Sequence, residues 1–581
     1  NEGGWYDGDK IRFRSGFPEK IGGWAQISNN QYDGVCRALW VWADADAGAG
    51  NKYIGVGTNT KYYIYFGGIY NDITPIIQTD TLTAVAGTIS TVSGSNVVTI
   101  SDGSYSPNVG DFVTITSTVA VNGVTFTGGN YQVQTVPSGS TFTVNFESNA
   151  SGTGSGTGGT VTLAYEYPVG LNVFSIGTGW GTGPYSRGSW SSSYPAGIGQ
   201  QLRLWSNDNY GSDLVLAPRG GPVFYWADST GVSTRAKYLK DIANSTTAIT
   251  DAATFGGSAT SITVTAANAP YIYPYMVITG TNLPADTKVA SSYVTGSTTV
   301  PITTTTSGAS SGNYTFSYAG SFVPTETYQV VTSAIQEFVI CFGSNPYSPN
   351  NAATTFNPMI VRWSDQANAY QWVPQVTNQS GEYLLTNGSY IMGARATRQE
   401  ILVWTDSCIY SMQYLGAPYV WGFQVLMDNI SVMSPNSMIT INNVTYWMGK
   451  DRFYMYSGRV EVLPCSLRQY IFADINQDQA YQVFAGANEA YNEVWWYYVS
   501  QSSAGTTVDR YVIYNYLDRV WYYGTLNRSA WLQSGIVQYP IAADYNNRLV
   551  YHENGNDDNS TTATLPITSY VQSSDFDIGD G

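Results

Sequence analysis

The sequence has few charged residues and a single histidine, and it lacks long hydrophobic runs. Lys, Arg, Asp and Glu make up only 11% of its 581 residues, and the formal net charge is −16. Because nucleic-acid affinity comes largely from Lys and Arg displacing counterions from phosphates, tight DNA binding is not expected. No apolar run approaches the roughly 18 residues of a membrane-spanning helix, so we expect no membrane-spanning segment.

The scarcity of histidine also limits the chemistry. His552 is the only histidine, which leaves little basis for a histidine-based metal site or for a Ser-His-Asp arrangement. It falls in 549-LVYHENG-555, a predicted hairpin, and we interpret it as structural. We therefore predict that the protein is not an enzyme and has no catalytic residue, no metal site and no cofactor.

Acidic pairs are the remaining candidates for chemistry. Four pairs stand close in sequence: Asp7/Asp9, Asp44/Asp46, Asp557/Asp558 and Asp575/Asp577. Glycosidase carboxylates must face each other across a cleft, and sequence spacing cannot establish that. The strings 7-DGD-9 and 575-DFDIGDG-581 lack the full twelve-residue calcium loop with its terminal Glu. We interpret these acids as solvated turn residues.

Cysteine is also scarce. Cys36, Cys341, Cys408 and Cys465 lie far apart with no CxxC spacing, so the sequence supports neither a zinc site nor a disulfide framework. We predict free, buried thiols.

What is abundant favours β-structure. The chain has 60 Gly and 47 Tyr, and Thr, Val, Trp and Ile, which suit pleated surfaces, are frequent while helix formers are few. We predict a nearly all-β fold. Since single cores stop growing near roughly 250–300 residues, several modules or a repeat architecture are expected.

Tryptophan indicates the domain boundaries. All seventeen Trp lie outside 81–166 and 245–328, two Thr/Ser/Gly/Val-rich stretches whose one Lys or Arg is Lys288. We predict that these stretches are two inserted small β-sandwich or barrel modules. The flanking pieces 1–80, 167–244 and 329–581 then form one Trp/Tyr-rich body.

The body contains a repeated pattern of a polar turn followed by an aromatic strand. It occurs in 58-TNTKYYIYFGG-68, 405-TDSCIYSMQYLG-416, 449-GKDRFYMYSGRV-460 and 545-YNNRLVYHENG-555, which read as β-hairpins. Trp404, Trp447 and Trp495 recur at intervals close to the roughly 40–50 residues of a propeller blade. We predict a β-propeller of six or seven blades with a platform; a row of separate β-sandwiches is the structural alternative.

Exposed aromatic residues could also bind sugars by stacking. The run 495-WWYY-498 is the strongest candidate for such a surface. Packing between blades explains the same residues, and we favour packing.

The opening stretch, 5-WYDGDKIRFRSGFPEKIGGW-24, is densely specified. It predicts Trp5 and Tyr6 in one strand, a turn at Asp7-Gly8, and a second strand with Arg12 and Arg14 on the face opposite Ile11 and Phe13. Propellers usually close their ring by pairing strands from the two ends of the chain. We therefore assign Trp5, Arg12, Arg14 and Trp24 to fold closure or a subunit interface; a local hairpin covering the propeller edge is the alternative.

The same stretch resembles the N-terminal signature of tail nozzle or tail hub proteins of short-tailed phages, the group with the tail tubular B and packaged-DNA-stabilising types. The segments 202-LRLWSNDNYGSDLVLAPRGGPVFYWADSTG-231 and 573-SSDFDIGDG-581 are similar to that family as well. The two inserted modules resemble the Ig-like or small-barrel decorations of phage tail proteins.

This resemblance implies a structural protein of the virion tail. It implies a homohexameric ring below the portal and a tail adaptor protein, with possible contacts to tail fibres or spikes. The channel of such a ring would retain packaged DNA and release it, touching the genome only transiently and without sequence specificity. A formal charge of −16 per copy fits a channel along which DNA slides with few lasting contacts.

Two other functions stay open. The inserted modules could bind host glycans in a surface or tail-fibre adhesin. A polysaccharide depolymerase of the tailspike kind is the second alternative, although the short regular coils of a parallel β-helix are not evident in this sequence.

Overall fold

The computed structural model describes residues 5–44, 50–83, 87–117, 120–125, 129–156, 158–174 and 202–575. The all-β prediction is confirmed. The described α-helices are two short ones, Leu239–Ser245 and Arg468–Asp474. Asp46, Asp577 and most of the 573–581 segment lie outside the described residues.

Seven sheets make up most of the body, and we number them as blades 1 to 7; they are antiparallel except for one parallel strand pair in blade 7. Blade 1 has strands Cys36–Ala43, Lys52–Thr58, Tyr62–Phe66 and Ile69–Asp72. Blade 2 has Trp205–Tyr210, Asp213–Pro218, Phe224–Trp226 and Lys237–Tyr238. Blade 3 has Thr327–Ser333, Phe338–Ser344, Asn357–Trp363 and Gly381–Leu384.

The remaining blades follow in the C-terminal part of the chain. Blade 4 has Ile391–Ala396, Ile401–Thr405, Cys408–Gly416 and Val420–Asp428. Blade 5 has Met438–Ile441, Val444–Met448, Phe453–Tyr456 and Val460–Leu463. Blade 6 has Phe484–Asn488, Glu493–Tyr498, Arg510–Asn515 and Val520–Thr525. Blade 7 has Ala530–Leu532, Ile541–Ala543, Leu549–His552, Trp24–Gln26 and Asp558–Asn559.

The first strand of each blade contacts the first strand of the next, and the first strand of blade 7 contacts that of blade 1. The contacts therefore form a closed cycle of seven sheets. Radial packing of short sheets leaves few exposed edges and buries aromatic faces between neighbours. We interpret this arrangement as a seven-bladed β-propeller.

Buried aromatic side chains mark equivalent positions in successive blades. Trp404, Trp447 and Trp495 lie in the second strands of blades 4, 5 and 6, and all three are buried. The Trp404 and Trp447 rings meet edge to face, with centroids 5.4 Å apart. The four hairpins read from the sequence join the second and third strands of blades 1, 4, 5 and 7. All four side chains of Trp495–Tyr498 are buried, which agrees with packing rather than sugar stacking.

Two larger sheets lie outside the ring. One has eight strands: Ile76–Thr83, Ile89–Thr91, Val97–Ser101, Phe112–Ser117, Gly129–Ser138, Thr141–Asn145, Gly154–Ser155 and Thr160–Glu166. A small strand pair, Ala120–Val121 and Val124–Thr125, accompanies it. The other has five: Thr247–Phe255, Ser261–Thr263, Val277–Thr279, Thr299–Pro301 and Ser310–Ser317.

Each of these sheets forms a unit around a hydrophobic cluster, and the cluster of the second unit also includes Val373 of the body. We call the units module 1 and module 2. Their strands occupy 76–166 and 247–317, close to the predicted stretches. Strands Ile76–Thr83 and Thr160–Glu166 pair with each other, so module 1 leaves and rejoins the body at neighbouring positions.

Strands from opposite ends of the chain meet twice. Trp24–Gln26 pairs with Leu549–His552 on one side and with Asp558–Asn559 on the other, within blade 7. Trp5–Asp9 pairs with Tyr570–Ser573. The N-terminal segment is therefore part of the closure of the ring.

The predicted turn at Asp7-Gly8 is wrong. Both residues lie inside the strand Trp5–Asp9. The hairpin of this segment instead pairs Ile11–Arg14 with Phe17–Lys20, and it turns at Ser15 and Gly16, whose φ angles are 50° and 84°. Consecutive positive φ angles are those of the hairpin turn that suits strand twist, and Gly16 adopts one without strain.

The four cysteines are free. Cys36, Cys341 and Cys408 are buried, and Cys465 is partly buried. Burial raises the pKa of Cys36 and Cys341 to about 12, so both thiols stay protonated at neutral pH.

Candidate functional site

Two clusters of charged side chains in the body are candidates for a functional role. The first is the closure cluster, formed by Arg12 with Glu493 and Glu553. The second lines the axial cavity, the space enclosed by the first strands of the blades.

Arg12 is the centre of the closure cluster and is almost fully buried. Its Nε lies 3.0 Å from Glu493 Oε1, and its Nη1 donates to Glu553 Oε2 at 3.1 Å. The guanidinium also lies over the Tyr491 ring, 3.5 Å from the centroid. Arg12 thus connects the opening hairpin to blades 6 and 7.

Other donors complete the hydrogen bonding of the two carboxylates. Glu493 accepts from the Trp495 indole at 2.9 Å and from the Tyr522 hydroxyl. Glu553 accepts from Asn488 Nδ2 at 3.0 Å and from the backbone N–H of Gly22 at 3.0 Å. Arg12 Nε and Asn488 Oδ1 make no hydrogen bond among the described residues. The ion pairs and the other hydrogen bonds fix the relative position of the elements that carry them.

The electrostatics of the closure cluster favour a charged Arg12. Burial alone would lower the pKa of Arg12, but Glu493 and Glu553 outweigh burial and raise it. Burial raises the pKa of Glu493 to about 7, because the loss of hydration destabilises its carboxylate more than the neighbouring Arg12 charge stabilises it.

The other residues assigned from the sequence take different positions. Trp24 is buried in blade 7, against the ring of His552. Arg14 is exposed, and its Nε lies 3.6 Å from Glu19 Oε2. Trp5 is 53% exposed. Arg12 was predicted on the same face as Arg14, but it is buried because two carboxylates and an aromatic ring enclose it.

His552 is buried between aromatic rings, as its structural interpretation requires. Its Nε2 accepts a hydrogen bond from Arg528 Nε at 2.8 Å, so the ring is neutral with its proton on Nδ1. The Trp531 ring lies 4.5 Å away between centroids. Burial, with the Arg528 charge, lowers the pKa of His552 well below its ordinary value.

The axial cavity has a volume of about 210 Å³. Every blade contributes to its wall, blade 5 through Pro435 and Asn436 just ahead of its first strand. Four charged side chains line it: Arg37, Asp208, Arg219 and Arg395.

Arg37 and Arg219 join neighbouring parts of the ring through carbonyl groups. Arg37 Nη2 donates to the Asn172 carbonyl at 2.7 Å and to Gln482 Oε1 at 2.8 Å. Arg219 donates to the carbonyls of Met392 and Ile391, both at 3.0 Å. Carbonyl acceptors satisfy N–H groups without cancelling the positive charge.

Arg395 and Asp208 are the other charged pair of the cavity wall. Arg395 Nε donates to the Met438 carbonyl at 3.2 Å. Asp208 accepts from the backbone N–H groups of Thr332 at 2.8 Å and Asn209 at 2.9 Å. Burial raises the pKa of Asp208 to about 6, with the Thr332 hydrogen bonds and the Arg395 charge acting against it.

A larger cavity of about 800 Å³ adjoins the axial one and shares Trp40, Asp208 and Ala396 with it. Its wall includes the turns between the first and second strands of blades 3, 4 and 5, at 333–336, 396–400 and 442–443. The axial cavity therefore lies beneath a wider depression in one face of the ring.

Sequence reasoning did not identify the residues of the axial cavity. Arg37 and Arg395 stand in otherwise uncharged strands, 36-CRALWVWA-43 and 391-IMGARA-396. A lone arginine in an otherwise uncharged strand indicates a buried polar site. The sequence does not show that these arginines share one cavity, because only closure of the seven sheets brings the first strands around one space.

Within the described residues, no group of three or more His, Cys, Asp or Glu side chains could hold a metal ion. No helix in the same ranges is long and apolar enough to cross a membrane.

Comparison with known proteins assigns no family to the chain. No family model matches it. No curated protein matches it with significance. Among solved structures, a phage phi92 endosialidase matches over 97% of this chain and 67% of its own, with 10% sequence identity and a TM-score of 0.14. A score this low carries no argument about fold or function.

Proposed function

We propose that the chain is a structural protein of a phage tail, a nozzle or hub that assembles as a hexameric ring below the portal and adaptor. In this role the hexameric ring retains packaged DNA and forms the channel for genome ejection. The proposal is supported by the resemblance of the opening stretch to tail nozzle proteins and by the position of that stretch in the fold.

One observation carries the proposal: the opening stretch has a buried side and an exposed side. Arg12 and Trp24 face the chain's own blades, whereas Trp5, Tyr6 and Phe17 are 53%, 72% and 76% exposed. Large aromatic side chains exposed together are typical of protein–protein contact surfaces. A segment with both properties can close the ring of blades in its own chain and also contact a neighbouring subunit of the hexamer.

An apolar cavity lies beside the exposed aromatic residues. It has a volume of about 370 Å³, and its wall includes Trp5, Tyr6 and Phe13 from the opening stretch and Trp521 from blade 6. A side chain from a second copy could fill this cavity, which would give the interface a buried anchor.

The decisive experiment is quantitative mass spectrometry of purified phage particles. The resemblance implies a twelve-copy portal, so a copy-number ratio near one to two is expected for a six-copy ring. Absence of the chain from particles would overturn the proposal. Glycan binding by the isolated protein, lost on removal of module 1, would then favour the adhesin, and turnover of capsule or lipopolysaccharide would favour the depolymerase.

The interface is tested separately on the purified chain. Light scattering should report a hexamer, or a smaller oligomer that assembles further with the adaptor. A Trp5→Ser, Tyr6→Ser, Phe17→Ser variant should stay monomeric with an unchanged fold, because these side chains are exposed. Identical assembly by this variant would show that the contacts lie elsewhere.

A further inference from the structure

The charge lining the axial cavity is opposite in sign to the charge of the whole chain. The protein carries a formal net charge of −16, yet the cavity wall holds three arginines and one aspartate. Among the ion pairs of the described residues, none includes Arg37, Arg219 or Arg395.

Arg37 has no carboxylate partner among the described residues. It is 6% exposed, and its Nε and Nη1 make no hydrogen bond within 3.5 Å there. Burial lowers its pKa, and Tyr545 is the main group that raises it against burial. The Nε of Arg219 also lacks a hydrogen-bond partner among these residues. Both side chains line the cavity, and these nitrogens keep unused donors buried behind its wall.

An uncompensated charge inside a protein is costly, and such groups usually neutralise or acquire a partner. Neutralisation is not available to an arginine, since it stays protonated in proteins. Asp208 can offset one of the three charges, and it faces Arg395. The remaining positive charge of Arg37 and Arg219 calls for a counterion.

We propose that the axial cavity binds a small tetrahedral oxyanion, a sulfate or phosphate group, held by Arg37 and Arg219. Oxygen acceptors pointing in several directions suit donors that come from different blades, and guanidinium groups bind such oxygens strongly. One water needs only about 10–15 Å³ of such a cavity. The volume of about 210 Å³ therefore leaves room for the ion and its waters.

The anion would also act as a structural centre of the ring. Arg37 belongs to blade 1 and bonds Gln482 ahead of blade 6, while Arg219 follows the second strand of blade 2 and bonds carbonyls in blade 4. A single ion between them would neutralise charges from both sides of the ring. This inference does not depend on the proposed tail function.

The test is equilibrium binding of sulfate to the purified full-length chain by isothermal titration calorimetry, with chloride at equal ionic strength as the reference. Melting temperature alone is not sufficient, since sulfate raises the stability of many proteins by exclusion from their surface. Saturable binding of one sulfate per chain is expected. Absence of saturable binding would overturn the proposal.

Three variants locate the ion. Arg37→Met should raise the dissociation constant at least about tenfold, because it removes a charge that faces the ligand. Arg37→Lys should restore part of the affinity. Arg459→Met is the matched control, since that side chain is 81% exposed on blade 5, and it should leave binding unchanged.

Asp208→Asn gives a result of opposite sign. Removing the one acid of the cavity wall should tighten sulfate binding several-fold, and this readout stays informative if Arg37→Met fails to fold. Unchanged affinity in both Arg37→Met and Asp208→Asn would place the sulfate on the surface and overturn the proposal.

The source of the oxyanion is addressed by replacing sulfate with inorganic phosphate and then with a nucleoside monophosphate. Tighter binding of the free ion would assign the site to an inorganic ion. Tighter binding of the ester would assign it to the phosphate of a nucleotide, with the base in the adjoining wider cavity. Both results must show the same Arg37 dependence.

Discussion

At the scale of single residues, Arg12 and Arg14 show how two similar side chains two positions apart differ in their effect. Arg12 is enclosed by Glu493, Glu553 and Tyr491, whereas Arg14 is 59% exposed and makes one long ion pair. Breaking a buried ion pair leaves an uncompensated charge, and that costs far more than losing a surface pair.

We expect Arg12→Met to lower the free energy of unfolding by about 3–5 kcal/mol, because Glu493 and Glu553 lose their partner in the interior. Arg14→Met is the matched control and should change it by less than about 0.5 kcal/mol. Urea denaturation followed by tryptophan fluorescence measures both values. Equal effects in the two variants would contradict the role of the closure cluster.

His552 predicts a pH dependence of stability. Its pKa is lowered in the folded state, so below the ordinary value of about 6.5 the unfolded chain binds a proton that the folded chain does not. Stability contributed by this group is present above pH 6.5 and is lost by about 1.4 kcal/mol per pH unit as pH falls below it.

The measurement compares unfolding free energies of the wild type and His552→Gln between pH 5 and 7.5. The difference between the two proteins isolates His552 from Asp208 and Glu493, whose raised pKa values act in the opposite direction. The variant should lose less stability than the wild type as pH falls. Parallel curves would show that His552 has the same pKa in the folded and the unfolded protein.

At the scale of elements, the strand Trp24–Gln26 is the critical one, because it fills a place in blade 7 between two strands from the other end of the chain. Without it, blade 7 would expose the edge of Leu549–His552. The unpaired backbone groups of that edge would weaken the closure of the ring at blade 7.

We expect Trp24→Ala to cost about 3–5 kcal/mol, the usual cost of removing a buried tryptophan. Trp5→Ala removes an exposed side chain from the strand Trp5–Asp9 and should lower the free energy of unfolding by less than about 1 kcal/mol. Calorimetric unfolding distinguishes the two. A larger effect for Trp5→Ala would mean that the pairing of Trp5–Asp9 with Tyr570–Ser573, rather than blade 7, holds the ring of blades closed.

The sequence predicted the blades better than it predicted the closure. Aromatic alternation and polar turns lie within single hairpins, so 405–416 and 449–460 could be read locally. The partner of Trp24 lies more than five hundred residues away, and local patterns do not specify it. The burial of Arg12 was not predicted for the same reason: alternation gives the face of a strand but not what covers that face.

At the scale of the whole molecule, module 1 has a core separate from that of the body, whereas the core of module 2 also includes Val373 of the body. Module 1 buries residues such as Ile100, Val113 and Phe142 against one another, and module 2 does the same with Ile278, Val300 and Phe316. Module 1 meets the body through Glu166, whose carboxylate lies within ion-pair distance of Lys61 and Arg235.

The body should therefore fold without module 1. Thr79 pairs with Ala164 in adjacent antiparallel strands, so residues 80–163 can be replaced by Asn-Gly, which favours a two-residue hairpin turn. This cut keeps Glu166 with Lys61 and Arg235. We expect a soluble, folded body with one cooperative transition, measured by circular dichroism and calorimetry.

Two comparisons make that result decisive. A second deletion should carry the same change together with Glu166→Gln, and it should be less stable, because Lys61 and Arg235 then lose one of the carboxylates they face. Loss of soluble protein in the first deletion would mean that module 1 is part of the folding unit. Folding of both deletions to equal stability would show that the Glu166 contacts position module 1 without stabilising the ring.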